Sequence, residues 1–169
     1  MLIIFGGLPG SGKSSISLRL AEKLNAVYLR IDSIETAINN SALQVEQAED
    51  AGYLAAYDVA KDNLALGHTV IADSVNPIEI SRAAWRNVAI VGGKKFLEIE
   101  IICSDKSEHM RRIEARNSDV NDTTPVVSWE KIMQREYNDW DSPDLQLDTF
   151  KMSVDDCVEH IHSYLKKNC

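Results

Sequence analysis

Gly7-Leu8-Pro9-Gly10-Ser11-Gly12-Lys13-Ser14 follows directly on the apolar run Leu2–Phe5, and it constrains the fold more than any other stretch. It fits GxxxxGK[ST] in full. A strand pattern precedes it and a helical one follows, with Ile16, Leu20 and Leu24 spaced four apart. Glycines let a backbone wrap with its N–H groups turned into a concavity, and a helix N-terminus behind them adds its dipole. Phosphate oxygens are what such a concavity binds. The pattern assigns Gly7, Pro9, Gly10, Ser11, Gly12, Lys13, Ser14 and Ser15 to a nucleotide site. Lys13 is expected at the terminal phosphates, and the Ser14 hydroxyl on magnesium. A glycine-rich turn that only caps a helix is the bland alternative. No [NT]KxD sequence for reading guanine is evident, which favours ATP over GTP.

Further along, apolar runs alternate with helical patterns. Leu2–Phe5, Ala26–Leu29, Thr69–Ala72, Phe96–Ile102 and Leu145–Leu147 read as strands, from β-branched content and turn-rich flanks. A helix is expected from Lys13. A long one should cover Val45–Leu66, with Ala48, Ala51, Ala55 and Val59 inward, and end at Gly67. Others are expected over Ile78–Val91, Asp105–Arg116, Ser128–Tyr137 and Ser153–Lys166, the last with Val154, Val158, Ile161 and Leu165 inward. Helices between short apolar strands need crossovers and so imply an α/β fold with a parallel sheet. A chain of 169 residues suits one domain with its own core.

A formal charge of −8 argues against a nucleic-acid surface, which needs a basic face. Cys103, Cys157 and Cys169 have no metal-ligand spacing, so reduced thiols and a cytoplasmic setting are expected. Leu2–Phe5 is too short to span a membrane and lacks the leader of a signal peptide.

Several charged residues fall where open α/β sheets place their ligands, at the carboxyl ends of strands. Asp32 ends the second strand in "LRIDSIETAI"; it suits a base for an acceptor hydroxyl, and equally a capping box with Ser33 and Glu35. Asp73 ends the third in "HTVIADSVN", as a magnesium-orienting acid or as a turn aspartate. Arg82 and Arg86 share a helix face and suit either an anionic substrate or plain solvation. Arg112 and Arg116 lead into the polar stretch Asn117–Val127, which suits a lid over about 112–127 closing on phosphate oxygens. The bland reading pairs them with Glu108 and Glu114 on an exposed face. His68 reads as structural, and His109, His160 and His162 as surface residues. Trp129 and Trp140 read as packing under the loop. Tyr53 and Tyr57 on the long helix suit stacking on an acceptor or, more simply, core packing.

"GGLPGSGKSS", "LRIDSI", "VIADSVNPIEISRAAWR", "CSDKSEHMRRIEAR" and the final "LQLDTFKMSVDDCVEHI" together resemble the small P-loop kinases of the AAA_33 type. That group is close to chloramphenicol phosphotransferase, zeta toxins, gluconate kinase and adenylylsulfate kinase. The resemblance covers nearly the whole chain. It implies a five-stranded parallel sheet of order 2-3-1-4-5 with a lid, ATP and magnesium, and phosphoryl transfer to a small-molecule acceptor. It also implies that Asp32 is the catalytic base, in an Asp-Ser context like that of the chloramphenicol enzyme, and that Arg112 and Arg116 are lid-helix arginines. Lys13, Asp32 and Arg116 are then the catalytic candidates, and Asp32, Arg82 and Arg86 the acceptor contacts. No long insertion of the zeta-toxin kind is present, nor a distinctive pocket motif of the gluconate or adenylylsulfate kinases. The acceptor therefore stays open, as does a choice between monomer and homodimer. The alternatives are a polynucleotide 5′-hydroxyl kinase and a nucleotide-binding switch or toxin-like protein without transfer activity.

Overall fold

The computed structural model describes residues 1–43, 45, 48–118 and 128–168. The elements run β1 (Leu2–Gly6), α1 (Lys13–Leu24), β2 (Val27–Arg30), α2 (Ile31–Asn39), α3 (Ala51–Ala65) and β3 (Val70–Asp73). They continue with α4 (Glu79–Val91), β4 (Phe96–Ile102), α5 (Lys106–Asn117), α6 (Trp129–Met133), β5 (Leu145–Asp148) and α7 (Val154–Asn168). The strands form a five-stranded sheet in the order β2-β3-β1-β4-β5, and every pairing is parallel.

The strand sequences explain the layering. Successive side chains on a strand point to opposite faces, so a strand covered on both sides is apolar throughout. β1 is such a strand. Ile3 and Phe5 pack with Ile71, Ile99 and Ile101 under Ile16 and Leu20 of α1 and Val158 and Ile161 of α7. Leu2 and Ile4 pack on the other face with Val70 and Ala72, under Ala56, Ala60 and Leu64 of α3 and Trp85 and Val88 of α4. Two apolar cores thus sandwich the sheet. The expected α/β architecture is the one observed, and each expected strand lies within a residue of its observed bounds.

Two helix expectations are corrected. α3 starts at Ala51 rather than Val45, and its inward row is Gly52, Ala56, Ala60 and Leu64. Ala55 faces solvent and Val59 is 43% exposed. Ala48 is buried, as expected, but in the turn before the helix, and the step of three from it to Ala51 puts the expected row one residue short of the buried one. The row of small residues lets α3 lie close against the sheet and against α2, where a Cβ on Gly52 would come within 2.5 Å of Glu35 Cγ. α6 stops at Met133 rather than Tyr137. Tyr137 instead donates from its hydroxyl to Glu100 Oε1 on β4 at 2.9 Å, drawing the following chain onto the sheet.

The phase of α3 is testable. Ala60 is fully buried and Ala55 is exposed. Overpacking a filled core costs about 1–3 kcal/mol, whereas a surface substitution stays within about 0.5 kcal/mol. Ala60→Leu is therefore expected to lower stability by about 2 kcal/mol in urea denaturation, and Ala55→Leu to leave it unchanged.

Candidate active site

The loop between β1 and α1 is shaped by backbone conformations that suit glycine. Gly7 and Gly10 have φ of 142° and 82°. A Cβ on Gly7 would collide with the carbonyl oxygen of Ile101, and one on Gly10 with Ile113. The residue capping α1 is Gly12, in the left-handed region, and it makes no side-chain cap bond. The helix therefore presents its opening N–H groups and positive dipole end to the concavity, as phosphate binding requires.

Residues distant in sequence hold this loop from behind. The Gly7 N–H donates to Val75 O at 3.1 Å, tying the loop to the chain after β3. His109, expected at the surface, is 5% exposed, with Nε2 2.7 Å from Pro9 O and its ring edge-on to Trp129. An amphipathic helix turned the loop's way explains the correction: α5 buries His109 and Ile113 one turn apart beneath Pro9 and Gly10. The Thr149 hydroxyl donates to Ser11 O at 2.7 Å and accepts from Arg112 Nη1 at 2.7 Å. Arg112 also bonds Thr149 O at 3.0 Å and Glu108 Oε1 at 2.8 Å.

Lys13 and Asp73 form an ion pair out of solvent. Lys13 Nζ lies 3.0 Å from Asp73 Oδ1, and the two side chains are 7% and 0% exposed. Tyr28 donates from its hydroxyl to Asp73 Oδ2 at 2.6 Å. Burial alone would raise the Asp73 carboxyl; the Lys13 charge and hydrogen bonds from Tyr28, Ser14 and Lys13 outweigh it and hold it below the ordinary range. Asp73 is therefore an anion at neutral pH, beside Ser14. Magnesium keeps several waters and takes one or two protein ligands besides phosphate oxygens. Ser14 and an ionised Asp73 suit that donor set. Among the described residues, no cluster of three or more His, Cys, Asp or Glu could hold a metal on protein ligands alone.

The cradle opens into a cavity of about 560 Å³. Pro9, Gly10, Gly12, Lys13, Ser14 and Ser15 line it on one side, Tyr28, Arg30, Asp32 and Ser33 on another, and Arg112 and Arg116 also border it. Asp32 lies in the first turn of α2. The capping-box expectation fails: the helix starts at Ile31, Arg30 occupies the N-cap, and no side chain makes a cap bond. Asp32 Oδ2 instead lies 3.4 Å from Arg30 Nη2. Glu35, expected to complete the box, is half-buried against Gly52; burial and the nearby Asp32 push its carboxyl up.

Arg82 and Arg86 are not brought to this cavity. Arg82 is 3% exposed, and its guanidinium donates to the carbonyls of Asn76, Pro77, Asn138 and Asp139. It also lies 4.6 Å from the Trp140 ring centroid. Arg86 bonds Glu98 at 2.9 Å and pairs with Glu79. Both border a separate cavity of about 250 Å³ with Trp140 and Pro143. Arg82 is held by four backbone carbonyls and Arg86 by Glu79 and Glu98, both away from the cradle cavity, so their expected substrate role is withdrawn. The expected lid over about 112–127 falls largely on residues 119–127, outside the described residues.

Residues 2–139 match the AAA_33 family, described as an AAA domain. The chain is 29% identical over 175 residues to an adenylyl-sulfate kinase of Prochlorococcus marinus, covering 98% of this chain and 83% of that one. It is 29% identical over 174 residues to one from Bacteroides fragilis, covering 95% and 80%. Its fold matches the Mycobacterium tuberculosis APS kinase CysC in complex with AMPPNP and APS, with a TM-score of 0.71, 23% identity and 98% and 96% of the two chains covered. A putative kinase from Chloroflexus aurantiacus matches with a TM-score of 0.76 at 18% identity, covering 99% and 97%.

The Lys13–Asp73 pair yields a thermodynamic test. Removing one partner of a buried pair strands the other charge and costs about 3–5 kcal/mol. Lys13→Ala is expected near the low end, about 3 kcal/mol, because Tyr28 and Ser14 still bond Asp73. Adding Asp73→Asn removes the stranded charge. The double variant should recover most of the stability in urea denaturation while nucleotide affinity stays down by about tenfold or more. A double variant as unstable as Lys13→Ala would contradict this account of the pair.

Proposed function

We propose, from the premise that the chain belongs to the AAA_33 family and is a P-loop small-molecule kinase, that it transfers the γ-phosphoryl group of ATP to a hydroxyl on an acceptor held against Asp32. The observation that carries this reading is the shared cavity. The phosphate cradle and the Asp32 carboxylate border the same space, and Arg112 and Arg116 border it as well.

In the proposed reaction the acceptor oxygen bonds to the γ-phosphorus as the bond to the bridging oxygen of ADP breaks. The hydroxyl proton passes to Asp32. Little covalent work falls to the protein; it positions the reactants and balances charge. Lys13 has a phosphate oxygen as an alternative partner to Asp73. Arg116 borders the space where charge develops, and Arg112 sits one helical turn before it, tied to the cradle through Thr149. Magnesium, held by Ser14 with Asp73 behind it, would supply charge neutralisation between the phosphates.

The curated relatives at 29% identity are named for adenylyl sulfate, so that compound is the first acceptor to test. The chain lacks a distinctive pocket motif of that group, and other hydroxyl-bearing metabolites and antibiotics belong in the same panel. Incubation with γ-labelled ATP and recovery of a labelled acceptor is the direct assay. No helix among the described residues is long and apolar enough to cross a membrane.

Asp32→Asn separates base from scaffold. Asp32 makes no side-chain cap bond, so its structural share is a negative charge at the α2 N-terminus and a partly exposed pair with Arg30, each about 1 kcal/mol or less. The variant is expected to melt near the parent, bind ATP as the parent does and lose transfer by about a hundredfold or more. Parent-like transfer in a stable variant would remove Asp32 from the chemistry.

A further inference from the structure

Tyr28 is a residue that the P-loop pattern does not predict and the phosphoryl-transfer scheme above does not use. It sits on β2, paired in register with Ile71, two residues short of the Arg30–Asp73 pair. Residues two apart on a strand share a face, and the step between them is about 6.6 Å. A tyrosine side chain is about the length that spans this step, and its hydroxyl ends 2.6 Å from Asp73 Oδ2. The other oxygen of the same carboxylate faces Lys13 at 3.0 Å. The two oxygens therefore have different partners: one an ammonium that phosphate can draw away, the other a phenol fixed to the sheet.

We propose that Tyr28 is a positioning residue for magnesium. Its hydroxyl pins Oδ2 of Asp73, so that Oδ1 stays aimed at the Ser14 side of the cradle when Lys13 engages phosphate. Two features support this assignment. Tyr28 borders the same cavity as Ser14 and Lys13, so the device lies at the site and not in a remote core. Asp73 is fully buried, and a carboxylate that loses one cation there needs another donor to keep its orientation. A plain packing role would be met by phenylalanine, which fills the same space without the hydroxyl.

The inference rests on the kinase reading only through the Mg–ATP complex, so its test needs no acceptor. Tyr28→Phe is compared with the parent by calorimetry of ATP binding, first in EDTA and then across a magnesium titration. Bound Mn²⁺ in the nucleotide complex is followed by electron paramagnetic resonance. The expected result is unchanged affinity in EDTA, within about twofold, and a magnesium midpoint raised by about tenfold, the worth of one hydrogen bond to a charged group. In an Asp73→Asn background, Tyr28→Phe should add no further change, because the two residues act as one unit. Melting curves establish that each variant is folded. An unchanged magnesium midpoint, or an equal loss with and without metal, overturns the role of Tyr28 alone. A parent that binds no nucleotide overturns the kinase reading and this inference with it.

Discussion

The buried contact between Lys13 and Asp73 is the constraint around which the site is organised. It joins the first residue of α1 to the last residue of β3, and so fixes the phosphate loop against the neighbouring strand. Such a pair is weak as a source of stability, since desolvating both charges costs several kcal/mol each and the attraction only repays it when further hydrogen bonds are present. Tyr28 and Ser14 supply those bonds to the carboxylate. What the pair contributes is placement. A lysine held by an ionised partner inside the protein arrives at a phosphate already oriented, and its partner remains at hand as an acid beside Ser14.

The sheet order makes this placement possible. With β1 between β3 and β4, its carboxyl end lies where successive connections leave in opposite directions, which opens a crevice in a parallel sheet. The loop after β1 fills that crevice. The ends of β2 and β3 then bring Asp32 and Asp73 to one side, and the β4–α5 connection brings Arg112 and Arg116 to the other. Asp32, Asp73 and the arginine pair come from three different stretches of the chain, so no single segment builds the site. Register does the assembly: Phe5 stands opposite Asp73 on one side of β1, and Gly6 stands opposite Glu100 on the other.

Local physics made much of this legible in the sequence. A strand buried on both faces is an apolar run, and a phosphate loop is a run of glycines before a lysine, so β1 and residues Gly7–Ser15 can be read from residues 2–15 alone. The inward row of α3 could not, because alanines on both faces blur the periodicity that separates core from surface. Tyr28, His109 and Thr149 escaped for another reason. Each acts on the loop through a contact that only register or helix packing creates, as with Thr149 and Ser11, 138 residues apart. His109 carried one faint signal, its spacing of four from Ile113 on α5. Arg82 and Arg86 show the converse. Their helical spacing is plain in the sequence, but the chain around Asn138–Trp140 that occupies Arg82 is not.

That correction changes what the arginine does, not whether it matters to the site. Asn76 is fully buried with φ of 49°, a conformation that costs a non-glycine residue about 1 kcal/mol or more. Its side-chain amide donates to Phe5 O at 2.8 Å, and its own carbonyl accepts from Arg82 Nε at 3.0 Å. The turn so held carries Asp73 at its start and Val75, whose carbonyl anchors the Gly7 N–H. A guanidinium with four of its five N–H donors on backbone carbonyls has a fixed geometry and little left to offer an anion. Arg82 therefore braces the turn that carries both Asp73, the partner of Lys13, and Val75, which anchors the entry to the loop after β1.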